Sequence, residues 1–135
     1  MSTLTVLLIE DDPKSCKAFT EYAALLDDVD IVGVTANATD GLGLIKKHLP
    51  QAIILDLELH TGQGNGLDVL RGLSNLALKV RPYILVITDS MNDEEIEYAR
   101  SFGVVFFIAK YQGGYSEQYV LDFLRPMREV IQRYY

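Results

Sequence analysis

Six carboxylates, one hydroxyl and one amine stand where short apolar runs of this sequence end. Glu10, Asp11 and Asp12 follow Leu4 to Ile9, Asp56 and Glu58 follow Ala52 to Leu55, Thr88 and Asp89 follow Tyr83 to Ile87, and Lys110 comes just after Val104 to Ile108. Carboxylates gathered within a few ångströms of one another cannot all stay ionised without a counter-charge, so either their pKa values rise or a cation sits among them. Oxygen-only ligands from two strand ends suit Mg²⁺, which accepts one or two carboxylates, keeps waters and leaves a face for phosphate oxygens. A solvated acidic rim is the plainer reading of any one pair. Thr88 and Lys110 weigh against it, because both are donors suited to a phosphoryl group.

The elements that must bring these residues together alternate in type. Strands are predicted over Leu4 to Ile9, Ile31 to Thr35, Ala52 to Leu55, Tyr83 to Ile87 and Val104 to Ile108. Each is followed by a segment of helical period. Asp12-Pro13 supplies an N-cap and a Pro at the first helical position for a helix running to about Leu26, with Ala18, Tyr22 and Leu25 on its apolar face. Further helices are predicted from Thr39 to His48, from Leu67 to Leu76, from Asn92 to Gly103, and from Ser116 toward Tyr134, the last broken or kinked by Pro126. Glu58 to Gly66 reads as a loop.

Strands this apolar are covered on both faces, which means a parallel sheet flanked by helices through right-handed crossovers. The fold class is therefore α/β, a doubly wound five-stranded parallel sheet in a three-layer sandwich, with 2-1-3-4-5 as the expected strand order. In such sheets ligands bind beyond the carboxyl ends of the strands, where the order reverses between strands 1 and 3. The chemistry-bearing residues above stand at those ends.

The residues resemble the response-regulator receiver domain of bacterial two-component signalling, which has a flavodoxin-like (βα)5 fold. The resemblance lies in Leu8-Ile9-Glu10-Asp11-Asp12, Ile53-Ile54-Leu55-Asp56-Leu57, Leu85-Val86-Ile87-Thr88 and Phe107-Ile108-Ala109-Lys110, in that order and each at the end of its strand. It implies that Asp56 accepts a phosphoryl group from a phosphohistidine. It also implies Mg²⁺ held by Asp11, Asp56 and the backbone carbonyl of Glu58, with Glu10 acting through water. Lys110 would pair with phosphoryl oxygens, and Thr88 would move to hydrogen-bond one of them, letting Phe107 turn inward as a switch residue. Asp12 reads as a helix cap rather than a ligand. The implied partners are a sensor histidine kinase or histidine phosphotransfer protein and an output domain or downstream protein, with a homodimer on phosphorylation a further alternative. The chain would be a phosphoacceptor rather than a turnover enzyme. A receiver-like interaction module that works without phosphorylation, and a small aspartyl-nucleophile phosphohydrolase, stay open as alternatives.

The sequence departs from the family pattern at four places. His60 stands where a Pro is usual, and the loop to Gly66 is two residues longer. Asp89 takes the small position after Thr88, so Asp89 and His60 become candidate modulators of the site. Tyr111 replaces the Pro after Lys110. Tyr111, Tyr115, Tyr119, Tyr134 and Tyr135 crowd the last segment, a candidate interface shared with ordinary helix packing.

Composition limits the remaining classes. A chain of 135 residues is most simply one domain, residues 1-135, long enough to bury roughly two-thirds of its unfolded surface. Any output domain is expected outside it. One cysteine, Cys16, excludes an internal disulfide framework and a Cys-rich zinc site. The apolar runs fall far short of the ~20 residues of a membrane span, and the start carries no basic segment of a secretory signal, so a soluble cytoplasmic protein is expected. The 12 Lys and Arg against 19 Asp and Glu leave a net charge of -7, with Lys46-Lys47 the one adjacent basic pair. Direct nucleic-acid binding is not expected.

Overall fold

Ala52–Asp56 and Tyr83–Thr88 are buried at every position, and such strands must lie in the middle of a sheet covered on both sides. A computed structural model describes residues 3–59, 64–90 and 92–134. The chain runs β1 (Leu4–Ile9), α1 (Pro13–Ala23), β2 (Val29–Thr35), α2 (Ala38–His48), β3 (Ala52–Asp56), α3 (Gly66–Ser74), β4 (Tyr83–Thr88), α4 (Asp93–Ser101), β5 (Phe106–Ala109), α5 (Glu117–Leu124), a 3-10 turn at Arg125–Met127, and α6 (Arg128–Tyr134). All pairings are parallel, in the order β2-β1-β3-β4-β5. The expected doubly wound α/β sandwich is thus the one observed.

Successive strand residues point to opposite faces, so each central strand feeds two cores. Leu8, Ile54 and Leu85 face α1 and α5, where they meet Phe19, Val120 and Leu121. Leu7, Ile53 and Val86 face the other layer and meet Ile45, Val69 and Leu70 of α2 and α3. Each fully buried Leu or Ile stabilises the fold by roughly 2 kcal/mol, and these two layers hold the strand ends in a fixed plane.

Several element limits differ from the sequence reading. α1 stops at Ala23, after which Leu25 and Leu26 fold into a tight turn by donating to the carbonyls of Tyr22 and Ala23. Its buried stripe is Ser15, Phe19 and Ala23, and Leu25 is 79% exposed, so the predicted face of Ala18, Tyr22 and Leu25 is rotated away from the true one. β2 begins two residues earlier, at Val29, which is buried opposite Leu4 despite the intervening Asp30. β5 begins two residues later, because Gly103 has φ +93° and the Val104 amide is tied back to the Ala99 carbonyl at the end of α4. Pro126 does interrupt the last helix, splitting it into α5, the 3-10 turn and α6. Among the described residues no helix is long and apolar enough to cross a membrane.

Candidate functional site

The parallel register brings the strand ends to one rim, with Ile9 beside Leu55, Asp56 beside Ile87 and Thr88 beside Ala109. Asp56 is the last residue of β3, Glu10 and Asp11 stand just past β1, and Lys110 stands just past β5 with its amide bonded to the Thr88 carbonyl at 2.8 Å. Their approach is a consequence of strand order. β1 and β3 are adjacent at the point where the winding reverses, and their next residues enter the same crevice.

Lys110 organises the crevice. Its Nζ donates to Glu10 Oε1 at 2.6 Å and to Asp56 Oδ2 at 2.9 Å, and its own side chain is 14% exposed. Glu10 Oε2 accepts from the amides of Asp11 and Asp12 at 2.9 and 3.2 Å, and Asp56 Oδ1 accepts from the Glu58 amide at 2.8 Å. Glu10 and Asp56 are both buried, so these charge-assisted bonds replace the water they have lost. Burial, reinforced by the neighbouring Asp56 carboxylate and only partly offset by Lys110, raises the Glu10 carboxyl to about 7. Burial opposes the charge on Lys110, but its hydrogen bonds to Asp56 and Glu10 and their attraction hold the ammonium above its ordinary pKa.

Carboxylate oxygens of Glu10, Asp11 and Asp56 lie within 4.8 Å of one another. Among the described residues the grouped ligands are all carboxylates, two of the three are buried, and a single ammonium faces them, so the donor set fits a hard divalent cation. Cys16 adds no soft ligand: its Sγ donates to the Glu10 carbonyl at 3.3 Å, and burial pushes the thiol up to about 11.

The β3–α3 loop closes tightly on this group. Gly66 donates its amide to the Leu57 carbonyl, and a Cβ there would lie 2.4 Å from the Asp56 carbonyl oxygen and 2.6 Å from Leu57 Cα. Only glycine permits that approach. Asn65 and Asp68 form a reciprocal capping box that starts α3 at this point.

Thr88 is buried on β4, and its Oγ1 lies 2.8 Å from the Ser90 carbonyl and 3.1 Å from Glu58 Oε1, both within donating distance. Phe107, paired with Val86 on β5, is half-buried against the α2–α4 layer, and the Arg100 guanidinium lies 5.9 Å from its ring centroid. Asp12 accepts from the Lys14 amide and caps α1, as its position after β1 suggested. Asp89 is exposed at the rim and makes no hydrogen bond or ion pair among the described residues. His60 and Tyr135 lie outside the described residues. The Lys110–Tyr111 bond is trans, and Lys110 still reaches the carboxylates. Tyr111, Tyr119 and Tyr134 are exposed, whereas Tyr115 packs on the α1 and α5 core.

A family model described as the response regulator receiver domain matches residues 6–114. The chain belongs to that family. This receiver domain is 34% identical over 91 residues to the nitrate/nitrite response regulator protein homolog of Haemophilus influenzae, covering 67% of the chain and 42% of that protein. Two further curated relatives are covered over 35% and 45% of their lengths, so the chain spans less than half of the relatives it matches. The response regulator receiver domain protein (CheY-like) from Methanospirillum hungatei has the same fold, with a TM-score of 0.78 at 15% identity over 98% of both chains. A chain of the CheX-CheY-BeF3-Mg+2 complex from Borrelia burgdorferi superposes with a TM-score of 0.75 at 18% identity, over 96% of this receiver domain and 90% of its own length.

Three features of the site went unread in the sequence: the bonds of Lys110 to Glu10 and Asp56, the Glu58 carboxylate on Thr88, and the close approach of Gly66 to Asp56. Glu58 carried a signal, since it stands two residues after Asp56. Its side-chain direction depends on the loop backbone and has no sequence period.

Proposed function

We propose that this receiver domain is the phosphoacceptor switch of a two-component phosphorelay, with Asp56 as the acceptor. The observation that carries the reading is the buried pairing of Asp56 with Lys110 at 2.9 Å, beside two further carboxylates placed to share a cation with it. A carboxylate is a weak nucleophile, and phosphoryl transfer depends mainly on positioning and charge neutralisation. An oxygen of Asp56 attacks the phosphorus of a phosphohistidine, the P–N bond breaks, and its electron pair returns to the imidazole, which takes up a proton. The product is an acyl phosphate on Asp56.

Asp11, Asp56 and the Glu58 carbonyl would hold Mg²⁺, with Glu10 through water, and the bound ion would neutralise charge on the phosphoryl oxygens. Lys110 shares that work from the other side and is already oriented by Glu10. Thr88 leaves Glu58 and Ser90 to donate to a phosphoryl oxygen, and Phe107 fills the space vacated. The surface that changes lies around α4, β5 and α5, where Tyr98, Val105, Phe106 and Tyr119 are exposed. Its partners on this reading are a histidine kinase or histidine phosphotransfer protein and an output domain or separate protein. The whole chain, residues 1–135, forms the one domain, and Asp89 modulates the lifetime of the phosphorylated state.

Beryllofluoride with Mg²⁺, which mimics an acyl phosphate, tests this by NMR. Amide shifts around Asp56, Thr88 and Phe107 are expected in the wild type and not in Asp56→Asn. An unresponsive wild type, or an equal response in Asp56→Asn, would contradict the proposal.

A further inference from the structure

The end of the sheet away from Asp56 carries a different kind of surface. Between the last turn of α2 and the loop from α3 to β4 lies an apolar groove of about 450 Å³, floored by Ile45, Leu49, Leu78 and Val80 and edged by Lys79 and Arg81. It sits at the amino-terminal ends of β3 and β4, beside Gln51 and Pro82, whereas Asp56 and Thr88 end the same strands. Strands of five and six residues at about 3.3 Å per residue put the two regions on the order of 17 Å apart. The volume lies within the roughly 300–1,000 Å³ of sites that enclose ligands.

Two features of this groove need an occupant. Leu49 is 65% exposed and Val80 58%, and both line the apolar groove. The charge is also reversed from the rest of the molecule. In a chain of net charge -7, residues 45–51 and 77–82 hold Lys46, Lys47, Lys79 and Arg81 and no Asp or Glu. Lys46, Lys47 and Lys79 have no ion-pair partner among the described residues, although acids outnumber bases nineteen to twelve over the chain. The two lysines of α2 have a local reason to be there, since cations favour a helix C-terminus. Lys79 stands in a loop and has none. Arg81 is held in place by donating to the Phe102 carbonyl.

We infer that this groove is a docking site for a short acidic amphipathic segment of a partner protein, whose apolar side chains enter between Leu49 and Val80 and whose carboxylates meet Lys79 and Arg81 at its edge. An apolar centre with a charged rim is the composition of a specific protein interface. Nucleic acid would use the rim but leave the apolar floor unfilled, and a bilayer surface would not enter a concave groove. The rim lies on an otherwise acidic molecule, so it also orients an acidic partner toward this end and away from the Asp56 rim.

A displayed library of twelve-residue peptides, selected on the full chain, tests the inference. Enriched peptides are expected to combine Asp or Glu with apolar residues spaced on one helical face. A synthetic copy of one should bind at least ten-fold more weakly to Lys79→Glu and to Val80→Glu, and more weakly in high salt. Both residues are exposed, and unchanged beryllofluoride binding by each variant would show that the fold and the Asp56 site are intact. No enrichment over the Val80→Glu protein, or peptides that bind both variants equally, would overturn the inference. So would binding of phosphatidylglycerol vesicles, or self-association of the chain, that those variants abolish while no peptide binds. A chain that fails to take beryllofluoride yet binds such peptides would defeat the phosphoacceptor reading and leave the groove standing.

Discussion

Thr88 Oγ1 lies 3.1 Å from Glu58 Oε1, so the hydroxyl proposed to bond a phosphoryl group is engaged by a carboxylate two residues after Asp56. The same oxygen is 2.8 Å from the Ser90 carbonyl and accepts from the Ser90 amide at 3.2 Å. Thr88 is thereby held in one orientation. Its single proton is shared between the Ser90 carbonyl and the Glu58 carboxylate, and its release costs that bond, about 1.5 kcal/mol for a charged acceptor.

Removing the carboxylate should therefore favour the state in which Thr88 faces Asp56. Glu58→Ala is expected to bind beryllofluoride with Mg²⁺ about three- to ten-fold more tightly than the wild type, measured by titration. The main-chain carbonyl of residue 58 is retained, so the cation site is kept. Unchanged or weaker binding would show that Glu58 does not restrain Thr88.

Lys110 is the one ammonium bonded to Glu10 and Asp56 among the described residues. Lys110→Ala leaves two buried carboxylates facing each other, and breaking a buried pair in this way costs on the order of 3 kcal/mol. Denaturant unfolding should show that loss at pH 8 and a clearly smaller one at pH 5, where Glu10, its carboxyl raised by burial to about 7, takes up a proton. In the wild type the Lys110 pKa is raised on folding, so its contribution is complete below about 10.5 and fades as pH climbs past that value.

Glu10 gives a slope of the same sign, in a lower pH window. Its carboxyl rises from 4.5 in the unfolded chain to about 7 in the fold, so between those values the folded state binds more protons than the unfolded one. Stability conferred through this group falls as pH rises through that window. Glu10→Gln removes the titration. Without added Mg²⁺, its stability relative to wild type should improve by roughly 2 kcal/mol between pH 5 and pH 8, at about 1.4 kcal/mol per unit of pKa shift. A pH-independent difference in unfolding free energy would contradict the assignment.

Gly66 tests the loop that backs Asp56. Gly66→Ala would drive a Cβ into the Asp56 carbonyl oxygen at 2.4 Å, and the atom it meets is backbone, which yields poorly. The expected cost is about 1–3 kcal/mol in stability, with weaker beryllofluoride binding because Asp56 shifts. Gly43, which has open space around it, is the control: Gly43→Ala should leave binding unchanged.

How much of this was legible in the sequence follows from which residues carry periodic signals. Asp56, Thr88 and Lys110 end or follow runs of buried β-branched and aliphatic residues, so their shared rim could be deduced from the parallel topology. Asp12 and Pro13 marked the start of α1 through capping chemistry. The other end of α1 was harder. Leu25 continues an apolar pattern, yet the chain turns after Ala23 and leaves it in solvent. Val104 likewise looks like strand, but its amide belongs to the end of α4. The Glu58 contact and the Gly66 approach depend on loop backbone, where side-chain direction has no period to read. The basic groove joins residues 45–51 with 77–82, and only the fold makes those segments neighbours.

The central claim is that Asp56 accepts a phosphoryl group with the help of a divalent cation. Intact-mass spectrometry after incubation with acetyl phosphate measures this directly. The account predicts that the wild type gains one phosphoryl group in Mg²⁺, that chelation abolishes the gain, and that Asp56→Asn never shows it. A wild type that stays unmodified in Mg²⁺, or an Asp56→Asn protein modified to the same extent, would contradict it.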